Sequence, residues 1–193
     1  MTTSLKIAMS RKAPKALIAA LALLAWHSSA FAFEVAGTGQ VTKVADGDTF
    51  TVSAESTGSW EALRSHAAAK QENSGRDLDV GQRFGADNQS FVIRVGNIDT
   101  AESVHPDQSR NSKAGKVASN YARDLLLGER VSFRCWDIGY YGRAICSVWN
   151  DQWEFGSHMI ARGLSHYVTD YGEHPFWHDG YQKAERSAQG QMR

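Results

Sequence analysis

The sequence predicts an α+β domain in which five short strands form a small barrel and about three helices pack around it. Three observations support this prediction: short runs that alternate apolar and polar residues, turn residues between those runs, and segments with helical apolar spacing. Five strands with a few helices are typical of an OB-like barrel. The 193 residues amount to one domain once a leader is removed.

The five strands are predicted from alternation and from β-branched residues. They cover residues 41–45, 49–52, 91–95, 131–135 and 143–149. Asp46-Gly47-Asp48 is a turn signal that should join the first two strands into a hairpin.

Helical spacing predicts helices over residues 113–127, 154–162 and 181–188. The first should bury an apolar face that includes Val117, Tyr121 and Leu125. Glycines are expected to end the other two, at Gly163 and Gly190.

A long polar stretch, residues 54–90, separates the second strand from the third. Ser59 is expected to cap a helix over residues 60–71, with Glu61 in its first turn. Residues 73–90 are expected to form a Gly- and Asp-rich loop. Because a connection this long is either functional or partly disordered, we expect a helix-bearing insertion beside the active face and assign it no chemistry.

The first 32 residues have the order of a secretory signal peptide: a basic segment, an apolar run over 16–26, and small residues before a cleavage site after Ala32. Eleven apolar residues fall short of the roughly 20 that cross a bilayer, and a retained membrane anchor is the alternative. We therefore expect a periplasmic or secreted protein, residues 33–193, with no stable membrane association after cleavage.

Charge restricts how the chain can bind a polyanion. The formal net charge is zero, from 21 Lys+Arg and 21 Asp+Glu. The leader holds four of the bases and none of the acids, so the mature chain has 17 bases against 21 acids. Binding of nucleic acid would then require a local cationic site, helped by a bound metal ion, rather than bulk positive charge.

The two cysteines, Cys135 and Cys146, flank a turn-rich segment between two predicted strands. An exported chain meets an oxidising compartment, so a cross-strand disulfide is expected. Two buried free thiols are the alternative.

Three carboxylates and two arginines lie on short, turn-flanked segments; they are Asp48, Asp99, Glu102, Arg94 and Arg143. Carboxylates with a backbone carbonyl and water suit Ca²⁺ or Mg²⁺. A nearby glutamate can activate a metal-held water, and arginines can clamp a phosphate. Each residue alone has a simpler explanation: a turn former, a strand-end turn, a solvated loop glutamate or a surface ion pair. Their joint presence favours a phosphate-processing site.

These segments together resemble the staphylococcal nuclease (thermonuclease) family of secreted bacterial type. The stretch from Lys43 to Phe50 resembles the family's first metal motif, and the stretch from Arg94 to Glu102 resembles its central motif, with the same spacing. Tyr141-Gly142-Arg143 matches its Tyr-Gly-Arg. The resemblance covers roughly residues 37–53 and 91–190.

The resemblance implies an OB-fold barrel and a Ca²⁺-dependent phosphodiesterase that hydrolyses DNA and RNA, acting as a monomer. It implies calcium ligands at Asp48, Asp99 and the carbonyl of Thr100, with Asp46 behind them. Water would attack phosphorus in line and leave 3′-phosphate products.

The resemblance also implies that Arg94 and Arg143 clamp the scissile phosphate and that Glu102 serves the attacking water. Tyr141 and Tyr171 occupy positions where the family places nucleotide-contacting tyrosines.

The sequence departs from the family pattern at Ala101, where the family has proline, so the aim of Glu102 is expected to be less rigid. Two alternatives stand beside the enzyme interpretation. One is a catalytically weak or inactive module that binds nucleic acid or protein. The other is a zinc protein using histidines, although the spacing of those histidines matches no tight ligand motif; they are His158, His166, His174 and His178.

Overall fold

The computed structural model describes residues 33–103, 107, 109 and 111–191. The predicted signal peptide lies outside these residues. In chain order the elements are β1 (Val35–Asp46), β2 (Thr49–Ala54), α1 (Thr57–Ser74), α2 (Val80–Arg83), β3 (Phe84–Gly85), β4 (Ser90–Val95), β5 (Ile98–Thr100), α3 (Lys113–Leu126), β6 (Arg130–Ile138), β7 (Ala144–Trp149), α4 (Phe155–Ala161), β8 (Ser165–Tyr167) and α5 (His178–Gln191).

Five strands close into a barrel, which confirms the predicted fold class. β1 pairs antiparallel with β2 and with β6, and β6 pairs antiparallel with β7. β7 lies parallel to β4, and β4 closes the ring by pairing antiparallel with β2. Alternate residues of these strands point into the ring, where Phe50, Phe91 and Phe133 are fully buried. The predicted β1–β2 hairpin is present, with Gly47 and Asp48 as its turn.

Helix α3 spans nearly the predicted residues, and two residues of its predicted face, Tyr121 and Leu125, are partly buried and pack against the core. Val117, which we expected to be buried in the apolar face of this helix, is 58% exposed. The buried residues of α3 are mostly small: Gly115, Ala118, Ser119, Ala122 and Leu126. Small side chains let the helix backbone approach the barrel closely, and apolar spacing alone could not show that the contact face was built from them.

The other two predicted helices differ in their ends. α4 begins after Glu154, whose carboxylate accepts hydrogen bonds from the backbone N–H groups of Gly156 (3.2 Å) and Ser157 (2.7 Å). It ends before Gly163, as predicted. α5 starts at His178 and continues through Gly190, so the prediction that this glycine ends the helix was wrong. No helix in the described part of the chain is long and apolar enough to span a membrane.

The segment between β2 and β4 is folded over most of its length. α1 buries the predicted Trp60, Leu63 and Ala67. Its N-cap is Ser56 rather than Ser59, and its first turn holds no acidic residue, so Glu61 does not have the predicted role. The helix starts at Thr57, three residues earlier than expected. Residues 73–90 contain α2 and β3 instead of loop alone.

This insertion packs against the turn between β6 and β7. Lys70 Nζ donates a hydrogen bond to Asp137 Oδ1 (2.6 Å) and another to the carbonyl of Ile138 at the end of β6. The guanidinium of Arg76 lies 4.0 Å from the ring centroid of Tyr140. The insertion therefore supports the turn that carries the Tyr-Gly-Arg motif.

Candidate active site

The β1–β2 turn holds Asp48 against the end of β5. The Asp48 side chain is only 5% exposed. Its Oδ2 accepts hydrogen bonds from the backbone N–H (3.2 Å) and the hydroxyl (2.8 Å) of Thr100. A Cβ on Gly47 would lie 2.9 Å from the Thr100 hydroxyl oxygen, so glycine permits this approach. The segment that resembles the family's first metal motif and the segment that resembles its central motif thus lie side by side, as the resemblance implies.

Arg94 joins the two predicted metal-binding aspartates. One guanidinium nitrogen forms an ion pair with Asp48 Oδ2, and the other donates to Asp99 Oδ1 at 3.1 Å. The second nitrogen also donates to the carbonyl of Ile98 at 3.2 Å. The two carboxylates therefore face the same space, with Asp48 buried and the Asp99 side chain 68% exposed. The arginine predicted to clamp phosphate is itself held by the acids.

Asp46 lies behind this group and connects it to α3. Its Oδ1 accepts hydrogen bonds from the hydroxyls of Ser103 (2.8 Å) and Ser119 (2.6 Å) and from the backbone N–H of Gly47 (2.8 Å). Ser119 belongs to α3, and Ser103 follows Glu102 directly. One buried carboxylate thus fixes the turn, the helix and the segment that carries Glu102.

The backbone of Glu102 is held by the start of α3. Its carbonyl accepts a hydrogen bond from Ser112 N–H at 2.9 Å, and Ser112 also caps the helix by accepting from Gly115 N–H at 2.9 Å. Gly115 lies directly against the carbonyls of Ala101 and Glu102, where a Cβ could not fit. The conformational freedom expected from Ala101 is therefore opposed by contact with a helix.

Arg143 lies directly before β7, beside this cluster. It donates a hydrogen bond to the hydroxyl of Thr49 at 3.2 Å. Burial lowers its pKa, and the neighbouring charges of Arg94 and Arg83 lower the pKa further, whereas Glu102 raises it. The hydrogen bond to Thr49 thus holds Arg143 beside Asp48, where like charges oppose its own and Glu102 favours it.

The two predicted tyrosines differ in position. Tyr141 is 63% exposed and lies next to the Arg143 guanidinium, with 5.7 Å between its ring centroid and that group. Tyr171 is 97% exposed. Its segment is tethered through Asn97, whose side-chain amide donates to the carbonyls of Val168 (2.9 Å) and Gly172 (2.8 Å). Tyr141 thus lies beside an arginine of the site, whereas Tyr171 forms no hydrogen bond or ring contact with the site in the described part of the chain.

Cys135 and Cys146 lie directly opposite each other on β6 and β7 and form a disulfide. Both are fully buried, and their Cα atoms are 3.9 Å apart. The bond joins the two strands whose connecting turn carries Tyr141 and Arg143.

Comparison with protein families gives a match that spans most of this site. The family model described as Staphylococcal nuclease homologue matches residues 92–193, which is more than half of the chain. The chain belongs to the staphylococcal nuclease homologue family. A comparison with curated proteins finds no match. The matched range includes Arg94, Asp99, Glu102 and Arg143, and the structure adds the Asp46–Asp48 turn to them.

The chemistry of this nuclease homologue's site suits a hard cation. The carboxylates of Asp48 and Asp99 and the carbonyl of Thr100 are oxygen ligands, which Ca²⁺ prefers. Among the residues that the structure describes, no group of three or more His, Cys, Asp or Glu could hold a metal ion. A calcium ion held here would need the Thr100 carbonyl and water in addition to the two carboxylates, and the four histidines form no such group in the described part of the chain.

One of those histidines has a structural role in the nuclease homologue. His174 is 2% exposed, and its Nδ1 accepts hydrogen bonds from the backbone N–H groups of Phe176 (3.1 Å) and Trp177 (3.0 Å). Its Nε2 therefore carries the proton and donates to the hydroxyl of Ser147 at 3.0 Å. Burial lowers the pKa of His174 to about 4. The His174 ring also contacts Trp136, Phe176 and Tyr181, so this histidine is part of a buried aromatic cluster.

Sequence reasoning missed four residues that shape the site of this nuclease homologue: Ser103, Ser119, Gly115 and Arg83. The first two hold Asp46, and Gly115 supports Glu102. A glycine three residues after a capping serine was a usable signal for a close backbone contact. No local pattern marked Arg83, since its position depends on how the insertion folds back.

Proposed function

We propose that this staphylococcal nuclease homologue is a calcium-dependent nuclease that hydrolyses phosphodiester bonds in DNA and RNA. The observation that carries the proposal is the Arg94 bridge between Asp48 and Asp99, with Glu102 and Arg143 beside it. Two carboxylates face one space, next to a supported glutamate and an arginine that forms no ion pair within the described residues. This arrangement matches what phosphodiester hydrolysis requires.

The metal would be held by Asp48, Asp99 and the Thr100 carbonyl. When bound, Ca²⁺ supplies positive charge that stabilises phosphate oxygens and makes a water molecule more acidic. The protein residues then have separate tasks. Glu102 accepts a proton from the attacking water, and its backbone is fixed by Ser112 and Gly115 for that purpose.

Arg143 is the better placed of the two arginines for contact with the phosphate. A guanidinium has five N–H donors, and Arg143 uses one of them in its hydrogen bond to Thr49 within the described chain. Arg94 instead shares its donors between two carboxylates and a carbonyl. Arg143 would therefore donate to the non-bridging oxygens as charge develops on them. The bond between phosphorus and the 5′-oxygen then breaks opposite the attacking water. The 5′-oxygen takes up a proton from solvent, and the phosphate remains on the 3′-oxygen.

Exposed aromatic rings suit a protein that binds nucleic acid of any base sequence. Tyr141 lies beside Arg143, so a base next to the clamped phosphate could stack on its ring. We assign the same stacking role to Tyr171, which only a longer substrate would reach. Sugar non-specificity follows because none of these contacts requires a 2′-hydroxyl.

The test is digestion of single-stranded DNA and of RNA by the purified mature protein with Ca²⁺, Mg²⁺, Zn²⁺ or EDTA. We expect cleavage of both substrates with Ca²⁺, none with EDTA, and products that end in 3′-phosphate. Cleavage of neither substrate with Ca²⁺, together with retained oligonucleotide binding, would identify an inactive binding module instead. N-terminal sequencing and size-exclusion chromatography of the exported protein test the associated proposal of a monomer cleaved after Ala32.

A further inference from the structure

We propose that Arg83, on the insertion, binds a backbone phosphate of the nucleic acid adjacent to the phosphodiester that is cleaved. This inference rests on the proposed function and gives the insertion a part in substrate binding. It assigns an additional binding residue to a segment for which the sequence suggested no chemistry.

The pairing of β4 brings Arg83 and Arg143 to the same place. β2 occupies one edge of β4 along its length, so β3 and β7 must share the other edge. On that edge Phe84 pairs with the second residue of β4, and Ala144 pairs with the fourth. Arg83 directly precedes Phe84, and Arg143 directly precedes Ala144. Because β3 is antiparallel and β7 parallel to β4, both arginines approach the residue between these pairs, Val92.

Packing of the insertion fixes this approach. The carbonyl of Leu78 lies against Gly142, where a Cβ would be 2.9 Å from the carbonyl carbon. Leu78 is 1% exposed, and its N–H donates to the side chain of Gln71 at 2.8 Å. The chain between α1 and α2 is therefore anchored on the residue that precedes Arg143. Arg83 is placed by a rigid contact and not by a free loop.

Arg83 has no acidic partner among the residues that the structure describes. Arg83 is half-buried, and its Nε is buried with no hydrogen-bond partner in the described chain. No carboxylate in that same part of the chain forms an ion pair with it, whereas Arg94 has Asp48 and Asp99. Arg83 lies close enough to Arg143 for its charge to lower the pKa of Arg143, and two neighbouring guanidinium groups repel each other unless an anion joins them. The geometry suits an anionic ligand.

A nucleic-acid strand is the anion that suits this arrangement. Arg143 faces the proposed cleavage site, and Arg83 approaches it from the side of the insertion, so one strand can place neighbouring phosphates on the two residues. The mature chain has more acids than bases. Its affinity for a polyanion must therefore come from local arginines of this kind.

The experiment compares Arg83→Met with Arg64→Met, both in a Glu102→Gln background that prevents cleavage. Methionine keeps most of the apolar stem of the side chain. Arg64 is the matched control because it is exposed on α1 of the same insertion, 5.6 Å from the ring centroid of Trp60. The probe is a fluorescent single-stranded oligonucleotide of about a dozen nucleotides, titrated by anisotropy with Ca²⁺ at salt concentrations of roughly 50 to 200 mM.

We expect Arg83→Met to raise the Kd about 10-fold at the lowest salt, as loss of a charge-assisted hydrogen bond predicts. The slope of log K against log salt should become shallower by about 0.7, equivalent to one phosphate on a single strand. Arg64→Met should leave both quantities unchanged. The Tm of Arg83→Met should not fall, because the substitution removes an unpaired buried donor.

A Kd and salt slope equal to those of the parent, or equal losses in the two variants, would overturn the assignment. Arg83→Lys provides a second check, because it keeps the packing and the charge. This variant should have the same slope of log K against log salt as the parent. A shallower slope for Arg83→Lys would count against a phosphate contact. Wild-type protein that binds the oligonucleotide without cleaving it would refute the nuclease proposal alone. Wild-type cleavage with an unaffected Arg83→Met would refute this inference alone.

Discussion

Replacing Gly115 with alanine should reduce catalysis through the backbone of Glu102. An alanine Cβ at this position would lie 2.7 Å from the carbonyl oxygen of Ala101 and closer still to that of Glu102. Both atoms belong to backbone, so neither can move aside as the end of a flexible side chain could. Relief of the overlap requires a displacement of roughly 1 Å between α3 and the segment that carries Glu102.

The size of the effect follows from that displacement. A shift of about 1 Å in a catalytic group can lower the rate about 100-fold. Alanine is also favoured over glycine inside a helix by about 1 kcal/mol, so α3 itself should not unfold. We therefore expect kcat on single-stranded DNA with Ca²⁺ to fall by roughly two orders of magnitude, with a much smaller change in KM. Steady-state kinetics and thermal unfolding of the same preparation measure both quantities.

Gly190→Ala is the matched control for this prediction. Gly190 lies in α5, and a Cβ there would meet no atom within 4 Å. This variant should keep the wild-type kcat. If kcat of Gly115→Ala stays within about twofold of the wild type while the protein remains folded, the contact with α3 does not position Glu102 and the reasoning fails.

Three other predictions address the rest of the structure. The pKa of His174 in the folded state is lowered from 6.5 to about 4, so as the pH falls the unfolded chain is protonated before the folded one. The contribution of His174 to the free energy of unfolding should be complete above about pH 6.5 and should be lost towards pH 4, a decrease of about 3 kcal/mol. Urea unfolding across that range should show a weaker pH dependence for His174→Gln, and identical pH profiles would contradict the assignment. Replacing Cys135 and Cys146 together by serine should lower the stability of the non-reduced protein by about 3 kcal/mol through the denatured state, measured by chemical denaturation, whereas an unchanged midpoint would show that the disulfide does not form. Arg143→Lys keeps the charge but loses the planar fork, so kcat/KM should fall at least 10-fold with little change in Tm, and wild-type kinetics would remove Arg143 from the clamp.

The barrel could be predicted because its signals are local. Alternation identified all five strands, and Asp46-Gly47-Asp48 marked the first hairpin. The closure between β2 and β4 and the parallel pairing of β4 with β7 are long-range contacts. These pairings could be predicted only indirectly, because five strands with a few helices imply a closed barrel.

The errors came from features that depend on tertiary packing. The most buried positions of α3 were missed because most of them are small residues, with Gly115 and Ser119 among them, whereas the predicted Tyr121 and Leu125 are only partly buried. Gly190 did not end α5, since a single glycine costs only about 1 kcal/mol in a helix and packing can override it. The cap of α1 was displaced to Ser56 because capping residues are plentiful in that stretch.

The candidate site was predictable as a set of residue types and spacings but not as a network. Asp48, Asp99, Arg94 and Arg143 were each identified, and the structure brings them together. The sequence could not show that the two acids share Arg94, because that contact depends on the register of three strands. The approach of Arg83 depends on the insertion, whose fold no short motif specifies.

The most direct test of the proposed chemistry compares cleavage of single-stranded DNA by the wild type and by Glu102→Gln with Ca²⁺. Glu72→Gln, an exposed substitution on α1, serves as the control. We predict that Glu102→Gln lowers kcat by about 10²- to 10⁴-fold while calcium binding by calorimetry is retained, and that Glu72→Gln is unchanged. Equal rates for Glu102→Gln and the wild type, or no cleavage by the wild type, would contradict the assignment of this site.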